Sequence, residues 1–168
     1  GPSVGASFAL QSAFISKPDS TTLTNGTGVG QQSAGLILNG SYGLPVNDKA
    51  VVLFGLDFNP VDIKSGESKT GSFKLQNSWS VSVAPGFLIN NQSLGYVKLS
   101  YEGATAKNID ESKSINGFGV GFGVRTELSP NLYLNAEIKR VTYNSMTFGT
   151  DTGKSLTDIG TVGFGYRF

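Results

Sequence analysis

The chain contains no cysteine and no histidine among its 168 residues, and these two absences remove much chemistry at once. Without cysteine there is no disulfide framework and no thiolate metal site. Without histidine there is no Ser-His or Cys-His nucleophile, no imidazole-ligated zinc and no unperturbed side chain that titrates near neutral pH. Charge of one sign is lacking too. Against 13 Lys and Arg stand 12 Asp and Glu, and the net charge of +1 projects no long-range field towards nucleic acid or anionic lipid. No run of about eighteen apolar residues occurs, so the sequence offers no membrane-spanning helix. No basic-then-apolar leader opens it. The initial Gly1-Pro2 reads as a remnant of tag cleavage outside the fold, leaving residues 3–168 as one domain.

What is present is glycine, 23 residues of it, and an alternation of period two. Val4, Ala6, Phe8, Leu10 and Phe14 alternate with Ser3, Gly5, Ser7, Ala9 and Gln11, one apolar face against a small or polar one. The pattern returns in Ala34, Leu36, Leu38, Tyr42 and Leu44, then in Val52, Phe54, Leu56 and Phe58. Trp79, Val81, Val83 and Phe87 carry it next, followed by Val97, Leu99 and Tyr101. It continues with Phe118, Val120, Phe122 and Val124, with Leu132, Leu134, Ala136 and Ile138, and with Val162, Phe164, Tyr166 and Phe168. These are eight strands of an all-β chain.

The connections alternate in length. Residues 16–31, 59–72, 103–116 and 144–156 read as long polar loops, whereas 44–49, 89–92 and 129–131 read as tight turns. An even number of antiparallel strands, with short turns at one rim and long loops at the other, is the layout of an up-and-down bacterial outer-membrane barrel. Charge decides which face meets lipid. Asp57, Lys98, Glu102, Arg125, Glu127, Glu137, Lys139 and Arg167 all fall on the face of Gly, Ser and Asn. Turning that face inward keeps them out of hydrocarbon, where a mid-membrane Arg or Lys costs roughly 2–4 kcal/mol. Aromatic placement agrees, with Tyr42, Phe87, Tyr166 and Phe168 near the turn rim and Phe14, Phe58 and Tyr101 near the loop rim, as in two interfacial girdles. A soluble, lipocalin-like barrel that turns its apolar face onto a ligand is the competing arrangement. Arg140 and Asp158 break the pattern by falling on the lipid-facing parity. Both lie towards the loop end, where a bulge or snorkelling is expected to accommodate them.

The closing residues Gly163-Phe164-Gly165-Tyr166-Arg167-Phe168 resemble the aromatic-terminated last strand that marks outer-membrane barrels for insertion, with Tyr166 and Phe168 as the signature. The stretches Tyr96-Val97-Lys98-Leu99-Ser100-Tyr101, 117–127 and Leu128-Ser129-Pro130-Asn131-Leu132 are similar to small opacity-type and attachment-invasion-type barrels. This resemblance covers the second half of the chain, and the first half shares only its pattern. It implies a protein of the Gram-negative outer membrane, acting in adhesion, host-factor binding or envelope integrity, and it brings no catalytic residues. Outer-membrane lipid, lipopolysaccharide and a host surface or serum protein are the expected partners, with no nucleic acid and a monomeric barrel.

The inward charges read as a structural ion network rather than an acid-base site, because each has neighbours of opposite sign. No metal and no cofactor is expected, and the chain reads as a non-enzyme, with no Ser-x-x-Lys signature on any strand. Asp110-Glu111, and Asp62 with Glu67, suit solvation better than calcium because lysines are interleaved with them. From Gly117 to Gly123 every second residue is glycine, on one face of a strand, where it makes room for large neighbours rather than cradling phosphate. A hairpin centred on Pro130 sets 125 opposite 135, 123 opposite 137 and 121 opposite 139, with Arg125 diagonal to Glu137 and within pairing reach. Eight strands enclose an interior that side chains fill, so no steady pore is expected and a porin-like channel of low conductance is the second functional reading.

Recognition is left to the four long segments. Lys17 with Asp19, Asp62 and Glu67 with Lys64 and Lys69, Asp110 and Glu111 with Lys107 and Lys113, and Asp151 with Lys154 each sum to zero. Binding through them should depend weakly on salt, and Leu23, Val29, Ile63, Ile109, Met146 and Phe148 are the candidate contacts.

Overall fold

The computed structural model describes residues 1–16, 31–60, 63–68, 71–107, 112–148 and 151–168. Every element in them is a strand: β1 (Pro2–Ser16), β2 (Gln31–Pro45), β3 (Ala50–Asn59), β4 (Ile63–Ser68), β5 (Gly71–Leu88), β6 (Ser93–Lys107), β7 (Ser112–Glu127), β8 (Leu132–Phe148) and β9 (Asp151–Arg167). The order β3-β2-β1-β9-β8-β7-β6-β5-β4 is antiparallel throughout and is closed by pairing of β3 with β5. Both β3 and β4 pair with β5, one beyond the other, so the nine segments build eight staves of a closed barrel. Seam register follows the expected hairpin at Pro130, with Arg125 opposite Asn135, Gly123 opposite Glu137 and Gly121 opposite Lys139.

Parity sorts the side chains as the alternation requires. Phe8, Leu38, Phe54, Val81, Leu99, Phe122, Ile138 and Phe164 stand exposed on the outer wall, while Ser7, Ser80, Lys98, Glu137 and Lys139 are buried inside. Period two puts successive side chains on opposite faces, and a closed sheet has only a lumen and an outer wall to offer them.

The long segments expected as loops are largely strand. β6 and β7 pair as far as Lys107 opposite Ser112, and β8 and β9 as far as Phe148 opposite Asp151. β4 lies inside the second segment expected to be a loop, 59–72. Above the apolar band water wets both faces, so ladder pairing continues without any alternation to announce it. Residues 17–30 lie outside the described residues. Gly1 and Pro2, set aside as a tag remnant, take part in the sheet: Pro2 opens β1 opposite Tyr42, and the Gly1 amine donates to the Gly43 carbonyl at 2.7 Å.

The three tight turns share one construction. Val46, Ile89 and Leu128 each donate a backbone N–H to the carbonyl four residues on, and Asn47, Asn90 and Ser129 follow them. The Asn47 and Asn90 side chains accept backbone N–H groups within their own turns at 2.8–2.9 Å, and Ser129 Oγ accepts from Leu132 N at 3.2 Å. This is the local bonding that makes Asn and Ser turn formers. Adjacent turns are also tied together, Leu88 to Lys49, Glu127 to Gln92 and Arg167 to Asn131, at 2.7–2.8 Å between N and O. On the opposite half, β5 carries a bulge between Gln76 and Trp79, where Asn77 adopts φ 51°, a left-handed conformation that Asn tolerates.

Closure leaves no free edge around the barrel wall, and opening it means breaking a whole ladder. The folded protein should therefore resist SDS at room temperature and shift on a gel only after boiling. Identical mobility of boiled and unboiled samples would show that the wall opens without heat.

Candidate functional site

The lumen is built in three layers. Nearest the turns, Leu53, Ala84, Leu94 and Tyr96 form an apolar cluster with Val51. Towards the other rim, Ala9, Val141, Tyr143 and Ile159 form a second, with Ile37 and Ile115 against it. Between them lies the ionic band. Lys98 Nζ reaches Asp57 Oδ2 at 2.8 Å and Glu137 Oε1 at 3.2 Å, and Lys139 Nζ reaches Glu102 Oε1 at 2.6 Å. Hydroxyls complete the carboxylates. Ser80 donates to Asp57 at 3.1 Å, Ser100 to Glu102 at 2.7 Å, and Tyr96 to Glu137 at 2.8 Å with Asn135 as an alternative acceptor at 2.9 Å. Ionised groups taken out of water need such partners, since an unpaired one costs several kcal/mol.

Glycine makes this arrangement possible. A Cβ on Gly119 would stand 3.1 Å from Glu102 Oε1 and 3.2 Å from Lys139 Cδ, so the pair from β8 to β6 lies directly on the bare backbone of β7. Gly123 likewise makes room for the Tyr96 ring, and Gly165 for the ring of Tyr133. In both cases a large side chain covers its cross-strand glycine partner.

Of the eight inward charges expected as one network, the structure brings together Asp57, Lys98, Glu102, Glu137 and Lys139. Arg125 does not pair with Glu137. Its guanidinium carbon sits 4.1 Å from the centre of the Tyr133 ring and Nη2 donates to Ser41 Oγ at 3.2 Å, because Lys98 and Tyr96 already occupy Glu137. Glu127 and Arg167 leave the lumen set altogether. They pair with each other at 2.6 Å on the exposed turn rim, where height along the strand outweighs parity. Two cavities flank the band, one of about 60 Å³ bordered by Asp57, Arg125 and Glu137, the other of about 40 Å³ bordered by Asn59, Glu102 and Tyr143. Among the described residues no group of three or more acidic side chains gathers as a metal cage. Asp62, Asp110 and Glu111 lie outside the described residues.

On the outer wall, Arg140 and Asp158 face each other in register across β8 and β9 and form a two-pronged pair at 2.6 and 2.8 Å. Mutual neutralisation, rather than a bulge or snorkelling, accommodates them. Above them Asn144 donates to Asn116 at 3.1 Å, so the wall turns polar at this height. An aromatic group marks the same rim, in which Phe58 and Tyr101, expected there from the sequence, are joined by Trp79 and Phe118. Trp79 lies over Gly103, its ring centre 6.1 Å from that of Tyr101, which meets Phe118 at 5.4 Å. Phe58 pairs with Trp79 in register. At the other rim Tyr166 and Phe168 meet edge to face at 5.2 Å.

Among the candidate contacts, Leu23, Val29 and Ile109 lie outside the described residues. Ile63 stands on β4, opposite Leu75, while Met146 and Phe148 stand on β8, opposite Gly153 and Asp151. These three are strand residues rather than loop residues, carried by the upward extension of the wall.

Residues 1–168 match the family described as outer membrane protein beta-barrel domain. The fold is similar to that of Ail, the attachment invasion locus protein of Yersinia pestis, solved in complex with the heparin analogue sucrose octasulfate. That likeness has 19% identity over 99% of each chain and a TM-score of 0.62. Neisserial surface protein A is similar at 19% identity and TM-score 0.59, covering 100% of this chain and 99% of that one. OprG from Pseudomonas aeruginosa is similar at 16% identity and TM-score 0.56, covering 100% and 96%. A search of curated protein sequences returns no significant match. With the family matched along the whole sequence and an eight-stave barrel whose outer wall is apolar, the protein is a component of the bacterial outer membrane and belongs to the outer membrane protein beta-barrel family.

Proposed function

We propose that the protein is a non-enzymatic display barrel, whose ionic lumen holds the wall together and whose upper strands and connections present a contact surface for adhesion, host-factor binding or envelope integrity. The observation that carries this reading is the height of the wall. On β8 the outward apolar series ends at Ile138, yet the strand runs to Phe148, ten residues further, or about 30 Å of chain. A barrel that needed only to cross the membrane has no use for that length. The filled lumen supports display over conduction, because apolar layers cap the ionic band on both sides.

Ail's complex with a heparin analogue raises polyanion capture as an option. The charge pattern of this chain argues against it. Each of its four long segments sums to zero, and capture of a polyanion needs a basic cluster and shows steep salt dependence. A protein or lipid surface, host protein or lipopolysaccharide among them, met through apolar anchors fits better. The test is a binding panel of matrix proteins, serum proteins and lipopolysaccharide on the refolded monomeric barrel. Joint substitution of Ile109→Ser, Met146→Ser and Phe148→Ser should abolish binding while leaving the heat-dependent gel shift intact. Retained binding, or binding lost merely on doubling the salt, would place the contact elsewhere.

A further inference from the structure

The turn rim carries a repeated apolar feature that neither the lumen nor the upper wall uses. Val46, Ile89 and Leu128 occupy the same first position of three turns of the same construction. Phe168 occupies the corresponding place at the chain's end, since it follows Arg167 as Ile89 follows Leu88 and Leu128 follows Glu127, and all three preceding residues donate to the neighbouring turn. All four are exposed, Val46 by 62%, Ile89 by 66%, Leu128 by 53% and Phe168 by 72%. Turn residues that only needed to reverse the chain into water would be polar there, as their neighbours Asn47, Asn90 and Ser129 are.

Two of the four show where these side chains lie. A Cβ on Gly95 would stand 3.0 Å from Ile89 Cδ1, and Gly95 belongs to the outward parity of β6 with Val97 and Leu99, so Ile89 folds back against the outer wall. The Phe168 ring packs on Tyr166, which is also outward. The apolar turn positions thus continue the lipid-facing wall past the last ladder residues, directly beside the polar groups Lys49, Gln92, Asn131 and the Glu127–Arg167 pair.

We propose that Val46, Ile89, Leu128 and Phe168 form a collar that seats the barrel in the periplasmic-side leaflet, its occupant the acyl chains just below the phospholipid headgroups. The collar lengthens the apolar wall at one rim only. Apolar side chains at that boundary resist withdrawal into water, and the adjoining charges resist sinking into hydrocarbon. The two together fix the depth of the barrel. At the other rim the Arg140–Asp158 pair and the aromatic group around Trp79 limit the wall in the same way.

Trp79 is the sole tryptophan, which makes it a depth gauge remote from the collar. The experiment reconstitutes the full chain in phosphatidylcholine vesicles that carry bromine at defined acyl positions and reads the quenching of Trp79 fluorescence. Val46→Ser, Ile89→Ser and Leu128→Ser are combined, with Phe168 kept. The expected result is that the bromine position giving strongest quenching moves towards the bilayer centre, because the turn rim withdraws into water and draws Trp79 at the opposite rim deeper. Val46→Ile, Ile89→Leu and Leu128→Ile should keep the original profile. An unchanged profile in the serine variant overturns the proposal. Should the triple variant not fold, the three single serine variants are read instead, each expected to move in the same direction by less, and unchanged profiles in all three overturn it equally.

Discussion

Glu137→Ala should lower the stability of the refolded barrel by about 3–5 kcal/mol, the usual consequence of breaking a buried ion pair from one side. The carboxylate accepts from Lys98 at 3.2 Å and from Tyr96 at 2.8 Å, and it is buried inside the lumen. Removing it leaves Lys98 with Asp57 alone and strands the Tyr96 hydroxyl between Asn135 and an emptied site. Urea unfolding of the barrel in detergent micelles measures the loss. Glu127→Ala is the matched control, because its pair with Arg167 has side chains exposed by 39% and 45% and exposed pairs are worth about 0–1 kcal/mol. Equal effects from the two variants, or none from Glu137→Ala, would show that the ionic band does not hold the wall.

That comparison also marks what the sequence discloses. Glu127 and Glu137 share a parity, and parity is what alternation reveals, because lipid and lumen impose opposite demands on successive residues. Alternation says nothing of height, and height is what sends Glu127 to the rim and Glu137 to the middle. The same blindness hides the apolar lumen layers. Leu53 sits between the outward Val52 and Phe54, while Val141 and Ile159 follow the outward Arg140 and Asp158, so the two faces are alike in one place and reversed in the other, and the pattern loses its meaning there. Register at the Pro130 hairpin is legible because a short turn fixes it. The Arg140–Asp158 pairing is not, because Gly149, Asp151 and Gly153, where β8 gives way to β9, offer several turn positions to count from, and two charges on the wrong face look like two exceptions instead of one pair. Strand length above the membrane leaves no trace either, since Ser, Thr, Gly and Lys serve a water-wetted ladder and a loop alike. Which acceptor Arg125 takes is decided by what Lys98 and Tyr96 have already claimed, a matter of the assembled lumen rather than of spacing.

Gly165→Val should destabilise the barrel by about 1–3 kcal/mol through overpacking, and Tyr133→Leu introduced with it should recover part of that loss. The three atoms nearest to a Cβ on Gly165 all belong to Tyr133, with Cε2 at 2.6 Å, so the clash has a single source. The ring cannot simply turn aside. It is buried against its cross-strand glycine on one side and lies beneath the Arg125 guanidinium at 4.1 Å on the other. A side chain held between two strands and a cation transmits the added methyl groups to its surroundings instead of absorbing them. Tyr133→Leu alone should also cost stability, because it removes both the ring over Gly165 and the cation contact, the latter worth about 0.5–2 kcal/mol. In combination the two losses should fall short of their sum, with a coupling of about 0.5–3 kcal/mol, as expected for residues that share one space. Urea midpoints of the four proteins complete the cycle. Strict additivity would mean that valine at 165 is accommodated by the backbone of β9, and that the pairing of large aromatic with bare glycine is incidental to how this lumen is filled.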